Sequence, residues 1–298
     1  LKNTTQRFEL HRDRLLGLAY RMLGSRADAE DVVQDAWFKW MHADRGDIES
    51  DAAYLTTIVT RLCLDRIKRE RPRRVTYVGQ WLPEPIEIAA DSTMQGVDGL
   101  AEDLSFALLL ALERLSPLER AAFLLHDVFE APFAEVASVL ERSETAVRQL
   151  AARARRSVRE ARPNPPASRE THRKLLQAFL TAIHEGDETQ IRTLLREDAV
   201  MMSDTGGHKP TRPTAPRPIR GGHRIAHLLA VTRRKLREQA GAWTAAITSV
   251  NGYPGALIYN DDVLDLMLTI TIDGERIAAV YALANPEKLA RALPDRCS

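Results

Sequence analysis

Apolar residues recur at three- and four-residue intervals from residue 7 to residue 71, with almost no Gly or Pro to interrupt them. That period predicts helices throughout the stretch. Between residues 72 and 103 the period stops and Pro and Gly punctuate the chain; it resumes from 104 to 162. "RPNPPAS" at 162 to 168 ends it, because three prolines in four positions cannot continue a helix. Beyond that break Leu175, Leu176, Phe179, Leu180 and Ile183 form the apolar face of a helix over 172–185, ended by Gly186-Asp187. A second short helix runs to Arg196. "AVMMS" then reads as a strand and 222–237 as a helix, followed by "WTAAITSV", "ALIYN", "VLDLMLTITI" and "RIAAVYALA" as strands. Asp273-Gly274 between the last two is a hairpin signal. The order of elements predicts two all-helical modules followed by an α+β module.

Composition adds little until charge is mapped along the chain. The 298 residues are 44% hydrophobic and 28% charged with a net charge of +1, a globular balance that names no partner. Its distribution is more informative. Residues 61–74 hold seven basic and two acidic side chains. From Val75 to Glu113 there is no Lys or Arg, while Glu84, Glu87, Asp91, Asp98, Glu102 and Asp103 recur. Such segregation suits charged partners. The two cysteines, Cys63 and Cys297, offer neither a disulfide framework nor metal-ligand spacing. The longest apolar run, "FALLLAL", is too short to span a bilayer and no signal core opens the chain, so the expectation is a cytoplasmic protein with no membrane partner, no metal and no cofactor.

The sharpest motif is "PFAEVASVLERSETAVRQLAARARRSVREAR". Its first helix carries Phe133, Val136, Ala137 and Leu140 on one face. "ERS" is the turn, and Ser143 is placed to cap the second helix. There Val147, Leu150, Ala151, Ala154 and Val158 form the inward stripe, with Thr145, Arg148, Gln149, Ala152 and Arg156 opposite and Arg153 and Arg155 flanking. This is a helix-turn-helix whose second helix presents Arg and Gln, the side chains suited to purine edges in the major groove. A solvated Arg-rich helix of a bundle is the plainer alternative.

"LGLAYRMLGSRADAEDVVQDAWFKW" (16–40) and "AAYLTTIVTRLCLDRIKRERPRR" (52–74) resemble region 2 of the sigma-70 family, and "LSPLERAAFLLHDVFEAPFAEVASVLERSETAVRQLAARARR" resembles region 4. Nothing between them resembles a region 3, so the chain resembles an extracytoplasmic-function sigma factor. "WLPEP" and "NPEKL" resemble the subgroup with a fused C-terminal SnoaL-like domain. The resemblance implies a fold of several domains: a region 2 helical bundle (1–71), an acidic linker (72–103), a region 4 helix-turn-helix (104–162), a Pro-rich linker (163–168) and an α+β, nuclear transport factor 2-like cone (169–298). It also implies core RNA polymerase and promoter DNA as partners. Asp31, Gln34 and Asp35, on the face opposite Ala29, Val32, Val33 and Ala36, would dock on the polymerase. Tyr54, Arg61, Arg66, Lys68 and Arg69 would hold the −10 element; Tyr54 and Arg61 stand where many relatives carry Trp and Asn. Ser143, Thr145, Arg148, Gln149, Arg153 and Arg156 would read the −35 element.

The resemblance further implies that the last domain regulates the sigma modules in cis. Trp81, Leu82 and Pro83 of "WLPEP" would pack on it. Asp204, Gly206, Gly207 and Lys209 match a subgroup "DGGGK" motif, with Thr205 for one Gly and His208 interposed; Asn285, Pro286, Glu287 and Lys288 match the second. From residue types alone, two glycines are as well a turn, and Asn-Pro starts any helix. Two other functions stay open at this stage. One is a helix-turn-helix regulator whose cone senses a small ligand. The other is a cone-fold enzyme such as an isomerase, with Asp204, His208, His223 and His227 as its acid–base candidates, although no spacing among them specifies a mechanism. No catalytic residue is expected.

Overall fold

The computed structural model describes residues 2–43, 48, 50–75, 79–85, 88–89, 104–161, 168–207, 217–238 and 243–292. They divide into two compact units. Helices up to Val75 and from Leu108 to Ala161 make the first; residues 79–85, 88–89, 105–107 and 168–292 make the second.

In the first unit α1 (Lys2–Leu23) and α2 (Arg26–Met41) form a helical hairpin. Gly24 at φ +69° turns the chain, and Ser25 caps α2 by accepting from the Asp28 N–H at 3.3 Å. Trp40, fully buried, donates its indole N–H to the Thr4 carbonyl at 3.1 Å and so fastens the end of α2 to the start of α1. α3 (Asp51–Val75) packs on both, with Leu55, Val59 and Cys63 buried at successive turns. Burial pushes the Cys63 thiol far above its ordinary pKa, which leaves it neutral and inert. α4 (Phe106–Glu113) is apolar on nearly every side and buried accordingly. α5 (Pro117–Phe123) opens with a capping box between Ser116 and Glu119, continues into a π-helical turn (Leu124–Val128), and lies against α1 and α3. Arg120 of α5, 4% exposed, donates to the Met22 carbonyl and pairs with Glu113 at 2.8 Å. A charge buried that deeply is tolerated only because it is paired. α6 (Phe133–Leu140) and α7 (Glu144–Ala161) complete the unit.

The second unit is a seven-stranded sheet with helices packed against it. α8 (Arg169–Glu185) starts at the Ser168 cap and stops at Gly186, φ +74°; α9 (Glu188–Leu194) starts at the Asp187 cap. The strands are β1 (Ile88–Ala89), β2 (Leu195–Asp204), β3 (Ile219–Arg220), β4 (Trp243–Val250), β5 (Tyr253–Asn260), β6 (Val263–Asp273) and β7 (Arg276–Leu283), in the order β1-β4-β5-β6-β7-β2-β3. β4 to β7 form an antiparallel meander through three two-residue turns, Asn251-Gly252, Asp261-Asp262 and Gly274-Glu275. Both residues of the first two turns have positive φ, the geometry that matches strand twist. One parallel pairing and one added strand depart from the antiparallel run expected from the sequence. β2 joins β7 in parallel, and β1, from within the acidic stretch, adds to the free edge of β4.

Alternation along the strands gives each face a separate role. Ala199, Met201, Ala256, Ile258, Leu268, Ile270, Val280 and Ala282 pack with Leu176, Phe179 and Ile183 of α8 and with Ile225 and Ala226 of α10 (Gly222–Glu238). Leu257, Met267, Thr269, Tyr281 and Leu283, of the opposite parity, are buried as well. The opposite face is therefore covered too, and α11 (Pro286–Ala292) packs there against β6.

Candidate functional surfaces in the two units

The turn between α6 and α7 places Glu141 in the left-handed region at φ +54°, and Ser143 accepts from the Ala146 N–H at 3.3 Å to start α7. Val147, Ala151, Ala154 and Val158 are buried, so the other side of α7 turns outward. Ser143, Thr145, Arg148, Gln149, Ala152, Arg153 and Arg156 are all exposed along it. Arg148 lies 4.3 Å from the Phe133 ring centroid and 3.3 Å from Glu144; Arg153 meets Glu119 at 2.8 Å and Arg155 pairs with Asp127. Of these pairs Arg148–Glu144 is exposed on both sides and therefore weak, whereas the acids of the other two, Glu119 and Asp127, are largely buried.

α2 presents Asp31, Gln34, Asp35 and Phe38 outward, with Phe38 53% exposed beside the acids. On α3, Tyr54 is half-buried near the Trp40 ring, while Lys68 and Arg69 are exposed. Arg61 reaches across to the helix-turn-helix, pairing with Glu141 at 3.0 Å and donating to the Val139 carbonyl at 3.5 Å. Arg66 points elsewhere. Its Nη2 donates to Asp28 and, at 3.1 Å, to Asp31, and its Nε donates to Glu70 at 3.0 Å. Sequence reasoning missed this network because its members are 35 and 38 residues apart.

In the second unit three distant stretches converge on Asp204, which is fully buried at the end of β2. Its Oδ2 accepts from the Leu82 N–H at 2.9 Å and from Lys288 Nζ at 2.8 Å; its Oδ1 accepts from the Gly206 N–H at 2.9 Å. Lys288 also donates to the Leu82 carbonyl at 2.6 Å and lies 4.5 Å from the Trp81 ring centroid. Both backbone groups of Leu82 are thus satisfied, the N–H by the end of β2 and the carbonyl by α11 (Pro286–Ala292), and its side chain is fully buried. Pro83 is buried next to it, and Glu84 pairs with Arg291 of α11 at 3.2 Å. That pair was not anticipated, though an acid in the basic-free stretch and a base in the tail were both visible.

The two glycines have a steric reason. Gly206 sits at φ +63°, and a Cβ there would fall 2.5 Å from Asn285 Nδ2; Gly207 is exposed at φ +80°. Asn285 in turn caps α11 by accepting from the Glu287 N–H at 3.0 Å, with Pro286 at the first helical position and Pro286 and Glu287 exposed. Lys209 and His208 lie outside the described residues.

As acid–base candidates the named residues are scattered. Asp204 has the opposite strand parity to Met201 and so lies on the face away from α8 and α10, spent in the Leu82–Lys288 cluster. His223 and His227 are exposed on α10, His227 meeting Glu188 at 3.2 Å. Among the described residues of this unit His172 is the buried histidine; burial pulls its pKa down to about 4, and the Tyr253 ring lies 6.1 Å away. Among the described residues no group of three or more His, Cys, Asp or Glu could hold a metal ion, and no helix is long and apolar enough to cross a membrane.

Comparison with known proteins follows the same division. The family described as Sigma-70 region 2 matches residues 7–73, and Sigma-70, region 4 matches residues 105–158. The ECF RNA polymerase sigma factor SigJ of Mycobacterium tuberculosis is 37% identical over 305 residues, covering 94% of this chain and 91% of SigJ. The ECF RNA polymerase sigma factor SigI of the same organism is 32% identical over 289 residues, covering 94% of this chain and 92% of SigI. The crystal structure of SigJ superposes with a TM-score of 0.74 at 34% identity, covering 97% of this chain and 99% of that one.

Proposed function

Because the chain belongs to the extracytoplasmic-function sigma factors of RNA polymerase, we propose that its C-terminal domain governs promoter use by gripping the segment that connects the two sigma modules. The single observation that supports this reading is the Asp204–Leu82–Lys288 cluster. Region 2 docks on core polymerase through Asp31, Gln34 and Asp35 and engages the −10 element through Tyr54, Arg61, Lys68 and Arg69. α7 reads the −35 element through Arg148 and Gln149, with Ser143, Thr145, Arg153 and Arg156 positioning it on the backbone.

The grip works by subtraction. Residues 80–89 lie between the two DNA-reading modules in the chain, and each residue contributes at most about 3.3–3.6 Å of reach when extended. A docked segment contributes almost none of that, so docking restrains the modules and release lets them engage two promoter elements at once. Regulation resides in this contact and not in turnover, since Asp204 is occupied and the helix-covered face is filled by side chains such as Phe179, Leu268 and Ile270. A ligand of the cone is accordingly a subsidiary reading.

Multi-round transcription from a genomic promoter library, with core polymerase and the full chain, tests both halves. Defined transcripts are expected, and Asp204→Asn or Lys288→Met should raise their yield several-fold at unchanged core affinity. Unchanged yields in both variants would remove the grip. An absence of transcripts and of core binding would remove the polymerase and promoter roles.

A further inference from the structure

The side chain of Arg66 belongs to α3, the helix that carries the exposed cations Arg61, Lys68 and Arg69, yet it is turned toward α2. Three carboxylates share it: Asp28 and Asp31 one turn apart on α2, and Glu70 one turn further along α3. One guanidinium among three acids leaves that spot acidic, the wrong sign for a phosphate. Exposure separates the members. Arg66, Asp28 and Glu70 are 21%, 21% and 24% exposed, while Asp31 is 60% exposed. Burial lowers the guanidinium pKa, but Asp28, Asp31 and Glu70 more than reverse this and hold it above the ordinary value. The planar fork is thereby fixed in one orientation, with one oxygen of Asp31 pinned and the carboxylate otherwise open to solvent.

From Asp31 the exposed face of α2 runs on through Gln34, Asp35 and Phe38. Arg66 therefore stands at one end of the surface read above as the polymerase dock. We propose that Arg66 is a positioning residue for polymerase binding, holding the Asp31 carboxylate in place from the promoter-reading helix, and is not itself a contact to −10 DNA. The inference rests on the assignment of Asp31 to the polymerase surface. It gives that surface a rigid mount on α3, so that docking on α2 is felt directly by the helix that holds the melted strand.

The test is a double-mutant cycle in the full chain, reading core-polymerase affinity together with the salt dependence of promoter binding by the assembled holoenzyme. Asp31→Asn and Arg66→Met should each weaken core binding about 5- to 10-fold, and the double variant should be no weaker than either alone. Arg66→Met with Asp35→Asn should instead be additive. Promoter binding by holoenzyme assembled at saturating factor should keep its salt slope. Arg66→Lys, which keeps the charge but not the fork, should recover core affinity only in part. Melting temperatures identify any variant that fails to fold; Arg66→Lys and Asp28→Asn then take the place of Arg66→Met in the cycle. Two results overturn the proposal. One is unchanged core affinity for Arg66→Met with a salt slope reduced by about one phosphate contact, which makes Arg66 a DNA ligand. The other is additivity of Arg66→Met with Asp31→Asn. Should Asp31→Asn alone leave core binding intact, the docking assignment itself fails, a result distinct from both.

Discussion

Lys288 and Arg148 are both cations on helices, and they spend their charge in opposite ways. Lys288 is 6% exposed and engages a carboxylate, a carbonyl and an indole face. The side chain of Arg148 is 59% exposed and engages one glutamate of its own helix at 3.3 Å, over a phenylalanine ring. A desolvated cation with full partners is committed to the fold, because nothing outside can repay its removal. An exposed one with a weak partner is available to any stronger anion. α7 carries available charge, and the cluster around Asp204 carries committed charge, as does the buried Arg120 of the first unit. Arg66, 21% exposed among three acids, lies between the two types.

That contrast can be broken first at its committed end. Lys288→Met strands the buried Asp204 carboxylate and the Leu82 carbonyl, and should cost about 3–5 kcal/mol in denaturant unfolding of the second unit. Adding Asp204→Leu should recover much of the loss, since removing both charges is cheaper than stranding one. The buried histidine gives the next effect. His172 is held neutral with a pKa near 4, against about 6.5 when unfolded, so the unfolded chain takes up the proton first as pH falls. Stability is therefore full above about pH 6.5 and declines toward pH 4, by up to roughly 3 kcal/mol, a slope that His172→Leu should flatten in chemical denaturation across that range. Gly206→Ala, forced into the left-handed region against Asn285, should cost about 1–3 kcal/mol in the same assay.

At the available end the readout changes from stability to binding. Arg148→Ala should leave the melting temperature nearly unmoved and lower holoenzyme affinity for its promoter by about 1–3 kcal/mol, with the loss confined to the −35 element. Smallest of all, Glu141→Ala removes an exposed partner of Arg61 and should alter stability by less than about 1 kcal/mol by thermal melting.

The comparison also explains what was legible in the sequence. The outward set of α7 and the inward set of α2 follow from helical period alone, because local geometry decides which side a residue takes. The meander was legible for a similar reason, since strands joined by two-residue turns are neighbours in sequence. The committed charges were less so. Asp204 and Lys288 stood out only as motif letters, and their convergence on the backbone of Leu82 joins residues 122 and 206 positions apart. β1 carried no pattern of its own, as two residues show no periodicity; the edge of β4 recruits it. Arg66 was misleading for the opposite reason. It shares a helix and a charge with the exposed cations, and only the packing of α2 against α3 separates it from them.

The placement of residues 79–85 and 88–89 in the second unit has a consequence for inheritance. A domain appended to the end of a chain can be gained or lost in one recombination event. Here such an event would divide the domain, because part of its sheet and the partner of its buried aspartate are encoded between the two sigma modules. A gene that lost everything after residue 168 would keep an acidic segment with a hydrophobic leucine and a tryptophan bereft of their cover. A gene that lost the segment would keep a sheet with an open edge. The segment between the sigma modules and the C-terminal sheet are interleaved in the coding sequence, although they fold as one unit.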